Sequence, residues 1–91
     1  MNRSSWQVVE TGVNGKPFLW KNSTDGTYVM IDIFTAHPEG CYTVMILNSN
    51  PLVTEDVKGE IIGMGCANTR TDWVEAYEKA RKIADQYMDL H

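Results

Sequence analysis

Residues 27–34, TYVMIDIF, have the side-chain types of a β-strand but lack the alternation of apolar and polar that a half-buried strand carries. One parity holds Val29, Ile31 and Ile33. The other holds Tyr28, Met30 and Phe34, with Asp32 the single charge. A strand that is apolar on both sides needs cover on both sides. This restricts the fold sharply, because only one segment of the chain reads clearly as a helix and one helix shields one face of a sheet.

Turn residues set the strand boundaries. Asn14-Gly15 lies between WQVVETGV (6–13) and KPFLWKN (16–22), and this dipeptide suits the type I′ turn of a hairpin. Asp25-Gly26 turns the chain into a strand at 27–35. The HPEG segment, 37–40, turns it again into CYTVMILN, 41–48. Short connections favour an antiparallel meander, since parallel strands need long crossovers. Residues 49–59 read as a loop whose Leu52, Val53 and Val57 could lie over the sheet. EIIGMGCA, 60–67, would add a fifth strand, weakened by Gly63 and Gly65, which point to a bulge or a close backbone approach.

From residue 72 to residue 90 the period becomes helical. Trp73, Ala76, Tyr77, Ala80, Ile83, Ala84, Tyr87 and Met88 form one apolar stripe. Asp72 with Glu75 has the form of a capping box, with Thr71 as the alternative cap, and Glu75–Lys79 and Glu78–Lys82 are i,i+4 pairs in the favourable order. The expected fold is a single α+β domain over 1–91: an antiparallel four- to five-stranded β-meander packed on one long C-terminal α-helix.

Strand 41–48 repeats the double character of 27–35, with Tyr42, Val44 and Ile46 on one parity and Cys41, Thr43, Met45 and Leu47 on the other. The sequence does not decide which face receives the helix. Leaving ~400 Å² of apolar surface in water would forgo about 10 kcal/mol, comparable to the whole stability of a domain. The second face is therefore expected to meet the 49–59 loop and N-terminal arm, a second copy of the chain, or another protein. Tyr28, Met30, Phe34, Tyr42 and Val44, with Trp20 at the edge, are the expected interaction surface.

Composition narrows the partners. Eight basic and twelve acidic residues give a net charge of −4, which lacks the positive excess that drives phosphate contact and would be repelled by an anionic leaflet. The N-terminus has no apolar run of signal-peptide length and no stretch suits a bilayer span, so no membrane partner and a cytoplasmic location are expected. Cys41 and Cys66 are only two thiols without a close-spaced motif, so they are expected as free buried thiols, with a disulfide as the alternative for a mature secreted form. The acidic balance also suits an adaptor or inhibitor that uses Asp25, Glu39, Glu55, Asp56 and the helix acids to approach a basic partner.

Three constellations bear on chemistry. His37, Glu39 and Cys41 lie in and beside one turn, where a Cys–His pair could make a thiolate nucleophile, but nothing nearby supplies a third group. Cys41, Cys66, His37 and His91 lack the close spacing of a metal clip. GMGCANTRTDW, 63–73, sets Arg70 and Thr71 at a helix start, where free N–H groups can hold an anion, although the Walker-type lysine is missing. No catalytic residue, metal or cofactor is expected.

The element order, with EAYEKARKIA as the final helix, resembles small sheet-plus-helix modules: double-stranded-RNA-binding domains and the three-stranded DNA-binding domains of integrases and plant AP2-type factors. The resemblance implies nucleic-acid binding, for which Arg70, Lys16, Lys21 and Lys58 would serve. Such RNA-binding domains place several lysines at the last helix, where this chain has Arg70 beside Asp72. Residues 27–35 and 41–48, which sheet readers of DNA would line with Arg and Lys, contain neither. The leading expectation is a small non-enzymatic protein-interaction module.

Overall fold

A computed structural model describes residues 5–12, 15–32, 40–68 and 73–91. It contains five strands, β1 (Trp6–Thr11), β2 (Pro17–Asn22), β3 (Tyr28–Ile31), β4 (Cys41–Leu47) and β5 (Gly59–Cys66), followed by helix α1 (Trp73–Leu90). The strands form one sheet in the order β1-β2-β3-β4-β5, every neighbouring pair antiparallel. The meander and its C-terminal helix are therefore as the sequence pattern requires, and the fifth strand is present. Asn14, Phe34, His37, Glu39, Arg70, Thr71 and the Asp72 cap lie outside the described residues.

The β2–β3 turn shows how local chemistry fixes the meander. The Asn22 side-chain carbonyl accepts from the Thr24 N–H at 2.8 Å, and the Gly26 N–H donates to the Asn22 backbone carbonyl at 3.0 Å. Gly26 sits at φ +76°, a conformation open to glycine at little cost. Asn22 itself is buried, which its bonds make tolerable: its side-chain amide also donates to the His91 carbonyl at 3.4 Å.

Cross-strand register assigns the two faces. Gly63 and Gly65 of β5 lie against α1: a Cβ on Gly65 would run into the Ala76 and Ala80 backbone, and one on Gly63 would meet Ile83 at 3.1 Å. Their strand partners are Val44 and Tyr42, and Val44 in turn opposes Ile31. Val29 opposes Trp20. The face under the helix is thus Trp20, Val29, Ile31, Tyr42 and Val44, since directly paired residues share a face. Ala76, Tyr77, Ala80, Ala84 and Met88 supply the buried helical stripe. Small residues at 76, 80 and 84 let the helix settle onto the glycines of β5.

The helix is fastened at its sides as well. The Tyr77 hydroxyl donates to the Pro17 carbonyl at 2.5 Å, and the Arg81 guanidinium lies 5.1 Å over the Trp20 ring while donating to Asp85 at 3.0 Å. Trp6 meets Tyr87 edge-on with ring centroids 6.1 Å apart. Near the helix start, Glu75 accepts from the Asn68 backbone N–H at 2.8 Å and pairs with Lys79 at 3.5 Å, the expected i,i+4 pair.

Cys41 and Cys66 are not free thiols. They face each other across β4 and β5 and form a disulfide with Cα atoms 4.0 Å apart. The sequence lacks a local clip that would announce this pairing, which follows from register alone.

Candidate interaction face

The face away from the helix carries one rank of apolar residues across four strands: Leu19, Met30, Met45 and Ile61. Its exposure rises toward the last strand. Leu19 is 0% exposed, Met30 and Met45 are half-buried, and Ile61 is 59% exposed. A neighbouring rank pairs Thr43 with Met64, which is 47% exposed, and the next is the Cys41–Cys66 disulfide. On the other side lie Lys21, Tyr28 and Leu47, with the Lys21 ammonium 5.9 Å over the Tyr28 ring. The face is closed around Leu19 and along β4 at Cys41, Thr43 and Leu47, and open at the β5 edge.

A bulge produces that opening. The β4–β5 register slips between Val44 and Met45, which oppose Gly63 and Ile61 respectively. One extra residue, Ile62, is taken up there, so Ile61 and Met64 fall on the same face although three positions apart. Simple alternation puts them on opposite faces, which is why the sequence pattern missed both.

The expected surface residues divide between the two faces. Trp20 and Val44 are 2% and 0% exposed under the helix, so neither can meet a partner. Tyr42 belongs to the same side and packs against Trp73, ring centroids 5.7 Å apart. Burial, with Asp32 adding to it, raises its hydroxyl pKa above the usual phenol range. Tyr28 and Met30 do lie on the reverse face, half-buried. The expectation merged the two faces because both parities of the inner strands are apolar.

Residues 49–58 do not seal the open end. Asn50 and Thr54 cap tight turns by accepting from the Leu52 and Asp56 N–H groups at 2.9 and 3.1 Å, and Asn48 accepts from Lys58 at 2.9 Å. Leu52 and Val53 are left exposed rather than laid on the sheet.

The acidic residues are spread out. Asp25 is engaged in its own turn, where bonds from Thr27 hold its carboxyl below the usual range. Glu55 and Asp56 are exposed on the 49–58 loop. The basic residues are also dispersed: Lys16 lies over the Tyr77 ring near the helix and Lys21 over Tyr28 on the reverse face. Among the described residues no cluster of His, Cys, Asp and Glu could hold a metal ion, and no helix is long and apolar enough to cross a membrane. With the Cys41 sulfur bonded to Cys66 there is no thiolate at that position, and His91 stacks on Tyr87 at 4.1 Å. Neither a protein-family model, nor a curated protein, nor a solved structure matches this chain.

Proposed function

We propose that this protein is a small non-enzymatic interaction module that binds through the reverse face of its sheet, at the β4–β5 end, and that a second copy of the chain is its first partner. One observation carries the reading: the apolar rank from Leu19 to Ile61 is buried at one end and 59% exposed at the other, continuing to Met64. Met, Ile and Tyr with few charges make up the centre of a typical protein interface. Met side chains also adapt to a partner's shape. A twofold pair would set the same patch against itself.

The bonded cysteines count against the expected cytoplasmic location, because such bonds persist chiefly in oxidising compartments. Among the described residues no contiguous basic stripe favours nucleic acid.

Sedimentation equilibrium of the protein and of its Ile61→Lys variant tests the proposal. The expected outcome is concentration-dependent association for the parent and a monomer for the variant, whose stability stays within about 0.5 kcal/mol of the parent because position 61 is exposed. A parent that stays monomeric at millimolar concentration refutes self-association.

A further inference from the structure

The Cys41–Cys66 bond occupies the open face at the rank beyond Thr43–Met64, and its two residues are unequally placed: Cys41 is 8% exposed, whereas Cys66 is exposed. β5 is the last strand of the sheet and pairs with β4 alone. At this end the helix presses on Gly65 and the Asn68 N–H donates to Glu75 at 2.8 Å; the ties to β4 are the ladder, the Ala67 N–H donating to the Gly40 carbonyl at 2.9 Å, and the disulfide. We infer that Cys41–Cys66 is a reducible clamp that keeps the β5 edge ordered and, with it, the placement of Met64 and Ile61. Its effect on binding rests on the interaction reading given above. Its effect on the order of β5 does not.

The chemistry follows from access. Thiol–disulfide exchange is an in-line displacement, so the reachable sulfur is the one attacked. The thiolate of a dithiol reductant attacks Sγ of Cys66. A bond forms between the reductant and Cys66, the Cys41–Cys66 bond breaks, and the electron pair leaves on Cys41 Sγ, which takes a proton. The reductant's second thiolate then attacks its own sulfur in the mixed disulfide and releases Cys66, which is protonated in turn. Two electrons pass from the dithiol to the protein, which ends with two thiols while the reductant ends as a cyclic disulfide. β5 then keeps its backbone ladder but loses its covalent tie, and an edge strand with one neighbour opens locally before the sheet does.

The test uses the full chain, with dithiothreitol as the reductant and no denaturant. Thiol counting, circular dichroism, amide hydrogen exchange and sedimentation are followed together. Two thiols per chain are expected with the far-ultraviolet spectrum retained. Exchange at Gly65 and Ala67, whose N–H groups face β4, should quicken by about tenfold or more while β2 and β3 amides stay protected, and self-association should weaken. A Cys41→Ser/Cys66→Ser double variant should reproduce the reduced protein. A bond that yields only in denaturant, loss of the whole fold on reduction, or unchanged exchange in β5 would each overturn the clamp. If β5 exchange quickens but neither form self-associates, the clamp stands and the dimer reading alone fails.

Discussion

Gly65 shows how much one missing side chain can decide. The backbone of α1 rests against it at Ala76 and Ala80, so an added methyl would meet main chain that cannot rotate away. Gly63 faces Ile83, whose flexible end can yield. Gly65→Ala is therefore expected to cost about 3 kcal/mol and Gly63→Ala about 1 kcal/mol or less. Urea midpoints at unchanged slope would read both, and equal costs at the two positions would disprove the helix-contact account. The sequence marked this pair as a bend or a close approach and could not choose, because the same two glycines fit a ligand loop, a bulge and a helix seat. Both of the last two are present. The cysteines were equally unreadable: their bond depends on Cys41 standing opposite Cys66, and register is a property of the folded ladder.

Between elements, the seam that joins α1 to the sheet is largely aromatic. Tyr42 packs on Trp73, Tyr77 reaches the Pro17 carbonyl, and Tyr87 lies between Trp6 and His91. Burial is the main cause that raises the pKa of all three hydroxyls. For Tyr77, bonds and charge from Arg81 act in the opposite direction, and for Tyr87 the charges of Asp25 and Glu60 add to burial. The folded form thus holds these phenolic protons more tightly than the unfolded chain. Stability is fully present below the ordinary phenol value of about 10 and is lost as pH climbs through the raised values. Thermal melts across that range should show the midpoint falling, and the absorbance of ionised tyrosine should appear together with unfolding. A midpoint indifferent to alkaline pH would count against a buried seam. The helical stripe behind the seam was legible from period alone, and so were the turns at Gly15, Gly26 and Gly40, which all have positive φ. The choice of face was not. With both parities of β3 and β4 apolar, periodicity offers no vector toward the helix, and only the glycines of β5 break the tie.

For the molecule as a whole, a sheet wound in strict chain order has an open end wherever the winding stops, and here it stops at β5. Its other limit, β1, begins beside the end of α1: the Trp6 ring meets Tyr87, on which His91 stacks. The first described strand and the last helical turn are therefore neighbours, while the 49–58 loop, which joins β4 to β5 at the same end of the sheet, carries Leu52 and Val53 in the open. Joining the two termini through a short flexible bridge and opening the polypeptide between Leu52 and Val53 should give a permuted protein that keeps the parent's circular dichroism and cooperative melt, since exposed loop tips tolerate such cuts. The rearranged molecule would carry fresh ends next to the outermost strand, so a reporter dye or an affinity handle could be grafted there without disturbing the packing beneath the helix.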